Sequence, residues 1–81
     1  MKYQKIYNRL RRIEGQIRGL EEMLDKNRSE GDILIQLEAA RSSLSSTISS
    51  LIESMLERNN EDKIVLSEKD IQILLRFIKK N

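Results

Sequence analysis

The sequence predicts an all-α subunit of three helices, two long and antiparallel and one short and C-terminal, in a single domain spanning residues 1–81. Three observations predict it. Apolar residues recur at three- and four-residue steps and nowhere alternate strictly. No proline interrupts the 81 residues. A composition of 38% hydrophobic and 35% charged residues suits helices with one wet face.

The first helix is expected from about residue 3 to about residue 26, where Ile6, Leu10, Ile13, Ile17, Leu20 and Leu24 lay a narrow apolar seam along one side. The stretch from Asn27 to Gly31 interrupts it. Ser29 or Asp32 can accept from the open N–H groups of a second helix, in a weak capping-box pattern. That helix is expected to run to about Arg58, with Leu34, Leu37, Leu44, Ile48, Leu51, Ile52, Met55 and Leu56 on its stripe, and to end at Asn59 and Asn60. Ser42 to Ser50 is serine-rich, yet Leu44, Ile48 and Leu51 keep the helical beat through it. Ala39, Ala40, Ser43, Ser46 and Ser50 then read as small residues beside the seam that let neighbouring helices approach. A linker from Glu61 to Leu66 precedes a start signal at Ser67-Glu68-Lys69-Asp70, and Ile71, Leu74, Leu75, Phe77 and Ile78 carry the last helix to about Lys80. The two long helices, each ~36–40 Å at 1.5 Å per residue, outrun a compact monomer of this size, so a homo-oligomer is expected.

The chain has no Cys, His or Trp. Disulfides, thiolate or imidazole metal sites and every His- or Cys-based triad are thereby excluded, so neither an enzyme nor a resident metal or cofactor is expected. The N-terminus lacks an apolar leader, and no window approaches the ~18 apolar residues of a membrane span, which points to a cytoplasmic chain without a membrane partner.

A net charge of +2 hides an asymmetry. Residues 1–20 hold six basic side chains against Glu14 alone, whereas residues 21–40 hold six acidic ones against Lys26 and Arg28. On the first helix Lys5, Arg9, Arg12 and Gln16 fall on one strip beside the seam, with Arg11 and Arg18 further round. Guanidinium forks match phosphate oxygens bidentately, so the strip suits a polyanion; a solvated helix face is the competing explanation. Arg41 falls inside the stripe of the second helix, where a cation needs a pairing partner, such as Glu38 of a neighbouring chain, or a function. Gly15 and Gly19 each cost about 1 kcal/mol relative to Ala in a helix interior, which close approach of another backbone would offset.

The string Asn8-Arg9-Leu10-Arg11-Arg12-Ile13-Glu14-Gly15-Gln16-Ile17-Arg18-Gly19-Leu20, followed by Asp32-Ile33-Leu34-Ile35-Gln36-Leu37-Glu38-Ala39-Ala40-Arg41-Ser42-Ser43-Leu44, resembles the copper-sensing operon repressor family. That family also includes nickel/cobalt- and formaldehyde-responsive repressors and persulfide sensors. The resemblance implies a three-helix subunit assembling as a dimer of dimers, which binds double-stranded operator DNA across a basic face and releases it when an inducer is sensed. Carried over by residue, it implies DNA contacts at Arg9 and Arg12, with Arg11, Gln16 and Arg18 as neighbours, and at Arg41 in the second helix.

The sensing positions depart from the family. Its cysteine falls on Glu30, its histidine on Met55, and the Cys or His four residues later on Asn59. Cu(I) prefers thiolate and imidazole, and persulfide sensing needs two thiols, so none of those reactions is open to this chain. A different inducer, a lost response, or a mixed tetramer with a ligand-bearing paralogue are the readings that remain. The rival of another class is a helical assembly module whose basic strip docks an acidic protein.

Overall fold

The computed structural model describes residues 2–61 and 66–79, with residues 58–61 as backbone alone. It has three helices, α1 (Gln4–Asp25), α2 (Glu30–Glu61) and α3 (Glu68–Lys79), as the periodicity predicts. The chain divides into two compact units, residues 1–50 and 51–81. Among the described residues no helix is long and apolar enough to cross a membrane.

In the first unit α1 ends by a left-handed turn. Asn27 takes φ 53°, and the N–H groups of Asn27 and Arg28 donate to the carbonyls of Leu24 at 3.1 Å and Met23 at 3.0 Å. This pairing satisfies carbonyls that the helix end leaves open, and Asn is the non-glycine residue best suited to that conformation. Gly31 is not used for it and lies within the first turn of α2 at ordinary negative φ. Of the two expected caps, Ser29 performs the role: its Oγ accepts the Asp32 N–H at 3.1 Å. Glu30 and Asp32 then place negative charge at the positive end of the helix dipole.

With a turn of four residues between them, α1 and α2 run antiparallel, Ile13 lying close to Ser43 and Ser46. The packed face differs from the expected seam. Ile13 and Leu20 are buried on α1, with Ile6, Arg9, Gln16 and Met23 half-buried beside them; Ala40 and Thr47 are buried on α2, flanked by Ile33, Ala39, Ser43 and Ser50. Small residues therefore form the contact itself instead of lying beside it. Their hydroxyls are satisfied within the helix, Ser43 Oγ donating to the Ala39 carbonyl at 3.0 Å and Thr47 Oγ1 to the Ser43 carbonyl at 2.8 Å, which makes them compatible with burial. The larger apolar residues Leu10, Ile17, Leu24, Leu34, Leu37, Leu44 and Ile48 stay 44–67% exposed. The backbone approach expected at Gly15 and Gly19 is also missing within the chain, since a Cβ at either would meet nothing within 4 Å.

In the second unit α2 continues through Asn59 and Asn60 to Glu61, three residues past the expected end. Asn is a mediocre helix former but costs under ~0.7 kcal/mol per residue, too little to stop an established helix without Gly or Pro. Of the linker expected from Glu61 to Leu66, Glu61 is helical, residues 62–65 lie outside the described residues, and Leu66 precedes the cap. Ser67 Oγ accepts the Asp70 N–H at 3.1 Å and starts α3, whose last turn carries Arg76 and Lys79 at the negative end of its dipole. Leu74 is the buried residue of α3, with Ile73 half-buried; Ile71, Leu75, Phe77 and Ile78 remain exposed.

Candidate nucleic-acid interface

The basic strip is built by α1. Because α2 offers small residues, α1 rolls toward it until positions 9 and 16, instead of 10 and 17, approach the interhelical face. Arg9 and Gln16 are consequently half-buried, while Lys5, Arg12 and Arg18 are exposed. The strip expected to stand wholly outside is thus partly turned inward, and the Gln16 Oε1 atom is buried without a hydrogen-bond partner among the described residues.

The roll creates a cleft. Arg9, Arg12 and Ile13 from α1 and Ser42, Ser43 and Ser46 from α2 enclose about 150 Å³ open to one side. Neither Arg9 nor Arg12 forms an ion pair or hydrogen bond among the described residues, and the same holds for Arg18. Two guanidinium groups without a counter-ion, facing a polar wall, match the oxygens of an anion. Ser43 and Ser46 were legible as small packing residues and Ser42 was not; the serine wall opposite the arginines needed the pairing of the two helices.

Arg11 and Arg41, by contrast, are already engaged. Arg11 Nη1 donates to the Tyr7 hydroxyl at 3.2 Å, its guanidinium lies 5.9 Å from that ring, and Nε stands 3.6 Å from Glu14 Oε1. Arg41 meets Glu38 of its own chain, not of a neighbour: Nε donates to both carboxylate oxygens at 3.1 Å, and Nη2 donates to Oε2 at 2.8 Å and to Oε1. The hydrogen bonds from Arg41 hold the Glu38 carboxyl below its ordinary range, and Glu38 raises Arg41 in turn. Both side chains are more than half exposed, so the contact is loose enough to exchange for another anion.

Glu30 is the first, exposed residue of α2 in the first unit; Met55 is half-buried in the second, and Asn59 is a helical residue there. Of this carboxylate, thioether and amide, the thioether alone is a soft donor. Among the described residues no group of three or more Asp or Glu side chains is placed to hold a harder one.

A family model described as metal-sensitive transcriptional repressor matches residues 2–80. The chain is also similar to the copper-sensing transcriptional repressor CsoR of Bacillus subtilis (strain 168), at 41% identity over 49 residues, covering 60% of this chain and 48% of that protein. The match thus spans about half the length of that relative. No solved structure matches the chain.

Proposed function

Because the chain belongs to the metal-sensitive transcriptional repressor family, a family of regulators and not of enzymes, we propose that it holds an operator duplex on the basic face of α1 and answers to a signal other than the family's metals and thiol reagents. The observation that carries the first part is the cleft in which Arg9, half-buried, and Arg12 stand without counter-ions. Phosphate oxygens of a duplex supply the missing charge. Arg18, Arg11 and Gln16 flank that contact, and Arg41 joins it when a phosphate displaces Glu38. Phosphate contacts position the duplex without reading its bases, so operator choice leans on DNA shape as well as on base edges.

Open apolar stripes on both long helices support a homo-oligomer, a homotetramer in this reading, acting in the cytoplasm. The second part rests on Glu30, Met55 and Asn59, which supply none of the thiolate or imidazole donors that copper sensing needs. The inducer is of different chemistry, the response has been lost, or it resides in a ligand-bearing paralogue within a mixed tetramer.

Fluorescence anisotropy with labelled duplexes drawn from the DNA around its own gene tests both parts. The expected outcome is saturable, salt-dependent binding to at least one fragment, unaffected by stoichiometric Cu(I), Ni(II), formaldehyde or polysulfide. Absence of binding to every fragment would remove the repressor reading, and release by Cu(I) would remove the lost-sensor reading.

A further inference from the structure

The cleft between α1 and α2 is more than a gap between two arginines. Its volume, about 150 Å³, is several times what a single ordered water needs. A tetrahedral oxyanion fits within it. Charge enters from one wall only, through Arg9 and Arg12, three residues apart on one face of α1. The opposite wall is neutral and hydroxylic.

The three serines of that wall are not equivalent. Ser43 has committed its proton to the Ala39 carbonyl. Ser42 and Ser46, four residues apart and therefore stacked on one face of α2, have no hydrogen-bond partner among the described residues. Their hydroxyls are available to donate where guanidinium groups already supply positive charge.

We propose that this cleft is a pocket for a single phosphate group, gripped by the guanidinium groups of Arg9 and Arg12 from α1 and by the hydroxyls of Ser42 and Ser46 from α2. The inference deepens the proposed DNA-binding function and rests on it for the first occupant, a backbone phosphate of the bound duplex. A free phosphate presents the same oxygens. The division of labour has a measurable signature: the arginines contribute counter-ion release, whereas the serines contribute affinity without altering the salt dependence, since no charge is involved. Arg9, half-buried, has less freedom to lose on binding than an arginine in open water, which makes the pocket a fixed reference point for the register of the duplex.

The test compares the full-length protein with Ser42→Ala/Ser46→Ala and with Ser45→Ala, a serine of the same helix outside the cleft. Labelled duplex is titrated in chloride buffer at several salt concentrations, and binding of inorganic phosphate is followed by 31P line broadening. Alanine improves helix propensity, and circular dichroism verifies that the fold is kept. The expected result is a loss of about tenfold in duplex affinity for the double variant, with an unchanged salt slope and with Ser45→Ala binding like the unmodified chain. Unchanged duplex affinity with lost phosphate broadening would keep the pocket and assign it to free phosphate. If both are unchanged, the phosphate pocket is refuted, while loss of duplex binding in Arg9→Ala/Arg12→Ala would still uphold the DNA-binding face. If the unmodified protein binds no duplex, that face is lost, and the phosphate measurement alone decides the pocket.

Discussion

Replacing Leu44 and Ile48 by Glu places two charges on the outward stripe of α2, where both side chains are nearly half exposed in the single chain. Burying a Leu or Ile completely is worth ~1.5–3 kcal/mol, so the half still open to water is worth about 0.7–1.5 kcal/mol per residue. Seven such residues in the first unit hold about 5–10 kcal/mol per chain, enough to offset the cost of association when two chains contribute. The double substitution removes about 3–6 kcal/mol from a two-chain contact before any charge is desolvated, raising the dissociation constant by ~10²–10⁴-fold. Light scattering behind size-exclusion chromatography at micromolar protein is the assay. The unmodified chain is expected to elute as an oligomer and Leu44→Glu/Ile48→Glu as a monomer with reduced helicity. An unchanged mass for the variant would show that this stripe is not the surface that joins the chains.

Three further outcomes are expected. Gly15→Ala and Gly19→Ala, where an added Cβ meets nothing within 4 Å, should each stabilise the fold by ~0.5–1 kcal/mol and raise the melting temperature by a few degrees; a lower melting temperature would place a partner's backbone against that face. Ser29→Ala and Ser67→Ala each remove the acceptor at a helix start and should cost about 1 kcal/mol in thermal or denaturant unfolding, with no loss refuting the caps. The depressed Glu38 carboxyl implies that its contact with Arg41 is complete above the ordinary carboxylate range and is lost as pH falls through the lowered value. An NMR titration should place the Glu38 midpoint below that of an unstructured peptide and return it toward normal in Arg41→Gln.

Much of the fold was legible because the helical period survives even the serine-rich segment, and because Ser67 is a clear start signal and Ser29 a weaker one. The face of α1 that packs was not. Periodicity locates an apolar stripe of about two positions per turn, but which edge of it meets the partner helix depends on the size of the opposing residues. Ala40, Ser43 and Thr47 drew in Ile13 and Leu20 with Arg9 and Gln16, and left Leu10, Ile17 and Leu24 outside. The same rotation explains the site. Arg9 and Arg12 could be placed on one strip from spacing alone, whereas the serine wall opposite them requires knowing that residue 13 lies beside residues 43 and 46. Arg41 was conspicuous as a cation in an apolar stripe, and an acceptor one turn away in its own helix resolves it. The end of α2 was misplaced because Asn discourages a helix only weakly.

The salt dependence of duplex binding, compared between the unmodified protein and Arg9→Ala/Arg12→Ala, bears most directly on the basic face. Each phosphate contact contributes ~0.9 to the slope of log affinity against log salt, so losing the one phosphate that Arg9 and Arg12 share should lower the slope by about 0.9 for every chain engaged, together with a weaker affinity at low salt. If the double variant keeps both the slope and the affinity of the unmodified protein, Arg9 and Arg12 do not hold the duplex.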